Sequence, residues 1–150
     1  ANSGTVKEAT VEPAFREENF GYFEGNDDLQ SWHMIGGPDG NDTFNAMITA
    51  YTIEGMKDRI AALDPYHDAE DNATYWARLQ PGFDRLMAEC SDGDKVLVAS
   101  HGTTIRSIVS RFQPDINIAV SALNGSVTKL KVRGDDISVA YYNRVDDQLD

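Results

Sequence analysis

The 150-residue sequence has little cysteine, little positive charge and no long apolar run. Cys90 is its single cysteine, which rules out an internal disulfide and favours a reducing compartment, so we expect a cytoplasmic protein. No apolar run approaches the ~20 residues of a membrane-spanning helix, so we expect no membrane partner. Lysine and arginine total 13 against 25 aspartates and glutamates, which gives a net charge of −12. This charge argues against a nucleic-acid partner, and a phosphate site would need a local positive pocket.

The sequence shows no repeats and no low-complexity tract, and its first residues do not resemble a signal peptide. Because 41% of the residues are hydrophobic, we expect a single domain over residues 1–150 with one core. The three histidines and the cysteine show no metal-ligand spacing, so we expect neither a metal ion nor another cofactor. These residues are His33, His67, His101 and Cys90.

Two segments in the first half of the chain have the pattern of α-helices. Asp27 and Asp28 are suited to cap a helix that runs to about Ile35. Thr43 begins a second helix, whose apolar residues share one broad face and which ends at Asp64.

A third helix is predicted over residues 70–90, where Pro81 should kink or split it. The helices together form a predicted insert, or lid, over residues 26–90. Residues 1–13 are polar and predict a loop or a short edge strand, and residues 14–25 predict a short extended segment with two glycines.

The clearest strand signal is the apolar, β-branched run at residues 96–100, which is typical of a central strand buried on both faces. A helical pattern follows over residues 103–112. Residues 126–132 and 137–142 alternate with a period of two and predict an antiparallel hairpin at a sheet edge.

The turn between this strand and helix has the features of an anion site. Ligands in open α/β sheets bind at the C-terminal ends of strands, where His101 stands. Gly102 allows a sharp turn and close approach of an anion, and Thr103 and Thr104 begin a helix whose free N–H groups favour phosphate. His101 is then an electrophile or an acid/base. The alternative is a hydrogen-bonded loop histidine without chemistry.

Three glutamates stand in the segment 15–25, namely Glu17, Glu18 and Glu24. A carboxylic acid beside a bound phosphate holds its proton, because like charge and desolvation disfavour its ionised form, and it can then protonate a leaving alcohol. The pattern alone favours a solvated surface carboxylate for each of them.

The order and spacing of these motifs resemble the histidine phosphatase superfamily, which contains phosphoglycerate mutases and related phosphatases. The segment has the form Phe-x-Glu-x-x-x-Gly-x-x-x-Gly, and far downstream an apolar strand ends in Ser-His-Gly with an arginine soon after. Glu70, which lies eight residues before Arg78, also matches a family pattern, and so does the segment from Asn124 to Thr128. The resemblance covers residues 14–142. The matching residues are Phe15, Glu17, Gly21, Gly25, Glu70, Arg78, His101, Gly102 and Arg106.

The resemblance implies an α/β fold, namely a three-layer α/β/α sandwich with a mostly parallel sheet. It would be incomplete at the N-terminus and carry the helical insert and the C-terminal hairpin. Glu17 would be the general acid and then the base for water, and His101 the second histidine, which holds the phosphoryl group. Gly102 and Thr103 would bind phosphate. The other three matches would be structural, namely Glu70, Arg78 and Arg106.

The family's nucleophile, a histidine in an Arg-His-Gly motif after the first strand, has no counterpart, because no histidine here follows an arginine. We expect that an N-terminal segment with this motif is missing and that residues 96–100 therefore lack a neighbouring strand. The chain alone should be inactive, and it should associate with the missing segment or form a homo-oligomer.

The sequence departs from a glycolytic mutase where that enzyme holds a substrate carboxylate. Phe20 and Asp28 stand at the positions of a tyrosine and a lysine, and no cation lies between Arg16 and Lys57. We therefore expect a hydrolase of a small phosphomonoester. The alternatives are a phosphoglycerate mutase, a non-catalytic relative that binds a phosphorylated ligand or a protein, and an unrelated α/β domain with Glu17 and His101 far apart.

Overall fold

The computed structural model describes residues 9–134 and 136–145. In these residues it contains four α-helices and two β-strands, with short 3-10 turns between them. The elements are α1 (Asp28–Gly36), α2 (Phe44–Leu63), α3 (Asn72–Glu89), α4 (Gly102–Phe112), β1 (Val127–Arg133) and β2 (Asp136–Arg144).

The first two helices begin where the capping residues predict. The side chain of Asp27 accepts a hydrogen bond from Gln30 N at 3.0 Å at the start of α1. Thr43 Oγ1 accepts one from Ala46 N at 3.1 Å at the start of α2. Each bond satisfies a backbone donor that the first turn of a helix leaves unpaired.

Helix α2 is interrupted at Thr52, where φ is 64° and ψ is 168°. This is a conformation that residues other than glycine rarely adopt. Thr52 Oγ1 accepts from Gly55 N at 3.3 Å and thereby caps the second half of the helix. Of the two effects predicted for Pro81, a kink or a split, the split does not occur, because α3 continues through this residue. The break occurs in α2 instead.

The prediction of a buried central strand at residues 96–100 is wrong for the described chain. Residues 94–101 have no regular structure, and Val96, Leu97 and Val98 are 53%, 88% and 41% exposed. Within residues 9–134 and 136–145 the one sheet is the β1–β2 pair, so a parallel sheet and a three-layer sandwich are not present there. The physical reason is that no described strand lies beside this segment to pair with its backbone.

Residues 14–25 are not extended as predicted. They contain 3-10 turns at Pro13–Phe15 and Gly21–Phe23. Gly21 has a φ of 56°, and a Cβ atom there would lie 2.0 Å from Asp64 Oδ2. The glycine therefore allows the chain to bend while it packs directly against the end of α2.

The predicted antiparallel hairpin is confirmed. Arg133 pairs with Asp136 next to the turn, and Val127 pairs with Arg144 at the open end. The register shifts between Val127 and Leu130. The middle residue of the predicted turn, Asp135, lies outside the described residues.

Helix α4 lies between two hydrophobic clusters. Val109 belongs to the larger cluster, which α1 and α2 build, and Ile108 belongs to the smaller one with Phe15 and the apolar face of α3. This packing fixes the start of α4 against the loop at residues 14–19. Of the helices that the structure describes, none has the combined length and apolarity to cross a membrane.

Candidate functional site

The carboxylate of Glu17 lies on the first turn of α4. Its Oε2 accepts a hydrogen bond from Thr103 N at 3.1 Å. Its Oε1 accepts from Thr104 N at 3.0 Å, from Thr104 Oγ1 at 3.1 Å and from Glu18 N at 3.1 Å. The free N–H groups at the start of α4, where the sequence predicts a phosphate, therefore bind a carboxylate of the same chain in this structure.

His101 and Gly102 stand at the same helix start. His101 occupies the N-cap position and is exposed, and no side-chain capping bond from it occurs in the described part of the chain. Gly102 is the first helical residue and is also exposed. The Glu17 carboxylate thus contacts the helix turn that His101 begins, at the second and third residues after it. Thr103, predicted to bind phosphate through its N–H, here gives that N–H to Glu17.

A network centred on Glu70 holds the loop that carries Glu17. Glu70 accepts two hydrogen bonds from Arg78, at 2.6 Å from Nε and 2.8 Å from Nη2, and one from Arg16 Nη2 at 2.9 Å. It also accepts from Asn19 N at 3.0 Å. Burial tends to raise the pKa of Glu70, but the hydrogen bonds from Arg78 and Asn19 and the two arginine charges lower it below its ordinary value.

Side chains from three directions bind the backbone carbonyl groups of the same loop. Arg78 Nη1 donates to Ala14 O at 2.7 Å, Ser100 Oγ donates to Phe15 O at 2.8 Å, and Thr104 Oγ1 donates to Arg16 O at 2.9 Å. These bonds fix the position from which Glu17 reaches α4. The structural role predicted for Glu70 and Arg78 agrees with their contacts.

Arg106, in α4, is 4% exposed. Its Nε donates to Ile118 O at 2.7 Å, and its Nη2 donates to Asn45 Oδ1 at 2.6 Å. Its guanidinium also stacks on the Phe44 ring, with 4.9 Å between Cζ and the ring centroid. Arg106 therefore fastens the segment after α4 to the start of α2, which is a structural role.

The sequence did not single out Lys57, and it treated Glu18 as one of three equivalent glutamates. Glu18 is 2% exposed and Lys57 is fully buried. Burial raises the pKa of Glu18 to about 8, and burial lowers the pKa of Lys57 below its ordinary value. One signal for Lys57 was available, because it lies on the apolar face of α2, four residues after Ile53 and three before Ile60.

The other two histidines have their contacts elsewhere. His33 Nδ1 lies 2.9 Å from Asp42 Oδ1 on the exposed side of α1. His67 follows α2 and lines a surface cavity of about 460 Å³ together with Asp58 and Asp71. Neither this cavity nor a smaller one between α2 and the segment after α4 is lined by Glu17.

Two comparisons relate the chain to known proteins. The family model described as the histidine phosphatase superfamily (branch 1) matches residues 1–145. Among solved structures, the chain is similar to phosphoglycerate mutase from Bacillus anthracis str. Sterne, with 28% sequence identity and a TM-score of 0.72. This match covers 84% of the present chain and 56% of the mutase, so the chain spans just over half the length of that relative. No curated protein matches the chain.

Proposed function

Because the chain belongs to the histidine phosphatase superfamily (branch 1), we propose that it carries the general acid and the second histidine of a phosphomonoester hydrolase. The hydrolase works through a phosphohistidine intermediate, and its substrate is a small phosphorylated molecule. The observation that supports this most strongly is the contact of the Glu17 carboxylate with Thr103 N and Thr104 N, directly after His101.

Glu17 and His101 have defined roles in the two steps of this reaction. When a nucleophilic histidine nitrogen attacks phosphorus, the bond from phosphorus to the leaving oxygen breaks, and Glu17 donates a proton to that oxygen. Glu17 then takes a proton from the water that cleaves the phosphohistidine. His101 donates a hydrogen bond to the phosphoryl group and balances the charge that builds up on it.

The contacts of Glu17 also link its protonation to phosphate binding. A carboxylate accepts N–H hydrogen bonds more strongly than a neutral carboxylic acid does. Protonated Glu17 therefore holds Thr103 N–H less tightly, and a phosphate oxygen then takes this donor. The first N–H of the helix, at Gly102, offers a second donor to the same phosphate.

The nucleophile in this proposal comes from an Arg-His-Gly segment outside residues 1–150. His33 and His67 have their contacts elsewhere, and neither follows an arginine. The same segment brings a β-strand that pairs with residues 96–100 and completes a mostly parallel, three-layer sandwich. Val96 and Leu97, which are 53% and 88% exposed, supply the apolar surface for this association. Residues 26–90 are then a lid over the site.

A hydrolase fits these residues better than a mutase does, although the solved relative is a phosphoglycerate mutase. Phe20 packs edge-on against Trp32 with 6.1 Å between ring centroids, and Asp28 lies in the first turn of α1. Residues 17–56 contain no lysine or arginine, and Lys57 is fully buried. The carboxylate of a phosphoglycerate therefore finds no exposed cation in this stretch.

Cys90, the single cysteine of the chain, is free and exposed, which suits a cytoplasmic enzyme.

The experiment is an assay of phosphate release from para-nitrophenyl phosphate. A longer product of the same gene that includes an Arg-His-Gly segment is compared with residues 1–150. We expect activity in the longer product and none in the shorter one. Silence in both, with phosphate still bound, would favour the non-catalytic relative. Activity in the shorter chain would show that the nucleophile lies within it, and transfer of phosphate between positions of a phosphoglycerate would favour the mutase.

A further inference from the structure

Glu18 and Lys57 form a buried pair next to the Glu17 site. Glu18 N donates to Glu17 Oε1 at 3.1 Å, so the backbone of Glu18 is part of the site while its side chain turns inward. Glu18 is 2% exposed. Lys57 enters the same interior from α2, is fully buried, and places Nζ 4.7 Å from the centroid of the Tyr75 ring.

The surroundings of the Glu18 carboxyl group favour its neutral form. Within the described residues, neither Glu18 Oε1 nor Oε2 has a hydrogen-bond partner. An ionised carboxylate that is buried without partners costs far more free energy than a neutral carboxylic acid does. The buried hydroxyl groups of Tyr75 and Ser107 do not donate to Glu18 either.

The charged groups that face Glu18 come from several elements. Lys57 of α2 and Arg78 of α3 favour its ionised form, whereas Glu17 and Glu70 oppose it. Burial outweighs all four and raises the pKa of Glu18 to about 8. The neutral acid therefore predominates at pH 7, and its proton is lost as the pH rises through about 8.

Burial shifts the pKa of Lys57 in the direction opposite to that of Glu18. Burial is the largest influence and lowers its pKa, while Glu17, Glu18, Glu54 and Asp58 act in the opposite direction. Its Nζ donates one hydrogen bond, to Ile53 O at 3.4 Å. Besides Glu18, the charges that act on Lys57 are those of Glu17, Glu54 and Asp58, and Glu17 is the carboxylate that lies on the start of α4.

We propose that Glu18 is held as a neutral carboxylic acid and that Lys57 beside it supplies the local positive charge that favours a phosphate at the start of α4. The charge of Lys57 thereby explains how a chain with a net charge of −12 binds an anion at the start of α4. The inference depends on the proposed function in one respect, namely that the anion bound at the start of α4 is a phosphate. Glu18 and Lys57 act on the anion through space and are positioning residues, since neither touches it.

The test measures sulfate binding by the 150-residue chain, because sulfate resembles phosphate and remains a dianion from pH 7 to pH 9. Lys57→Met, which keeps the length of the side chain, should weaken binding at pH 7 about three- to tenfold, as expected for one unit charge near the site. Glu18→Gln should leave the affinity at pH 7 within about twofold of the wild type, because it replaces a neutral group by a neutral group. At pH 9 the same variant should bind sulfate more tightly than the wild type.

Glu89→Gln is the matched control, since it removes one negative charge from an exposed residue at the end of α3. It should have little effect on sulfate affinity at either pH. A Glu18→Gln protein that binds sulfate much more tightly at pH 7 would overturn the proposal, because Glu18 would then be ionised. Unchanged affinity in Lys57→Met would overturn the role of Lys57.

A titration of the Glu18 carboxyl carbon by ¹³C NMR, assigned with the Glu18→Gln variant, decides the charge state without any ligand. A midpoint above pH 7 supports the neutral acid, and a midpoint below pH 6 overturns it. If the wild type binds neither sulfate nor phosphate, the role in anion binding is overturned. A Glu18 titration near pH 8 in the same samples would then show that the charge state of the buried pair was correctly described, while the phosphate-release assay of the longer product tests the proposed function separately.

Discussion

Glu70→Ala should destabilise the protein strongly, because Glu70 is the common partner of two arginines and one backbone N–H. The side chains of Glu70 and Arg78 are 7% and 17% exposed, whereas that of Arg16 is 45% exposed. Removing one partner of a buried ion pair costs about 3–5 kcal/mol, and the partial exposure of the arginines places this case at the lower end. The lost hydrogen bond of Asn19 N adds about 1 kcal/mol. We therefore expect a loss of about 3–4 kcal/mol in the free energy of unfolding, from a total of about 5–15 kcal/mol.

The assay is urea unfolding followed by the fluorescence of Trp76, which packs on the cluster that contains Phe15. Glu12→Ala is the matched control, because Arg85 also binds Glu12 through two hydrogen bonds. In that pair the side chains are 24% and 50% exposed, so the same chemistry is mostly in water and its loss should matter far less. Equal effects of the two substitutions, or a loss below about 1 kcal/mol for Glu70→Ala, would refute this account of the network.

The pH dependence gives the prediction a second measurement. The pKa of Glu70 is lowered in the folded protein, so its contribution to stability is present above the ordinary pKa of a glutamate. That contribution is lost as the pH falls through the folded pKa. The wild type should therefore lose stability in acid more steeply than Glu70→Ala does.

Three further predictions concern the glycine motif, the interrupted helix and the site. Gly21→Ala should lower the free energy of unfolding by more than about 3 kcal/mol, because a Cβ atom there would lie 2.0 Å from a carboxylate oxygen. Gly25→Ala, which has open space around it and a φ of 71°, should lower it by about 1 kcal/mol. Urea unfolding measures both. Thr52→Gly should raise the stability by less than about 1 kcal/mol, because the relief of about 1–3 kcal/mol of strain is offset by the higher entropy of an unfolded glycine and by the loss of the cap to Gly55 N. In an active longer product, Glu17→Gln should lower turnover about 10²- to 10⁴-fold and leave phosphate bound, and His101→Ala should weaken both turnover and inhibition by phosphate.

Each of these predictions has an outcome that contradicts it. Equal losses for Gly21→Ala and Gly25→Ala would mean that the contact with Asp64 is relieved at no cost. Thr49→Gly, in the regular part of α2, should lower stability by about 1 kcal/mol, and a similar loss at Thr52 would disprove the strain there. Unchanged turnover in Glu17→Gln would show that Glu17 is not the general acid.

The elements that the sequence predicted well are those whose signals are local. The side chains of Asp27 and Thr43 cap α1 and α2 through bonds to residues three positions away, which a sequence displays directly. The hairpin likewise follows from alternation on either side of Gly134. The site required more, since Glu17 meets Thr104 across 87 positions. The order of the family motifs predicted that the two segments belong to one site, but it did not predict this contact.

The elements that the sequence predicted wrongly depend on the surroundings of a residue. Residues 96–100 have the composition of a buried strand, but pairing depends on a neighbouring strand that the described chain does not offer. Thr52 is an ordinary residue in an apolar helical pattern, and no residue type at this place marks the break in α2. Glu18 differs from Glu17 only in the direction of its side chain, which no pattern of residue types records.

The bonds of Glu17 to the first turn of α4 make the chain its own competitor for anions. A ligand attached to the same molecule acts at an effective concentration of millimolar or more, without any loss of translational freedom on binding. A phosphate bound at this helix start, as we propose, would have to displace the tethered carboxylate, which would take its place again when the phosphate leaves. The exchange of one anion for another would limit how tightly the helix start retains a product.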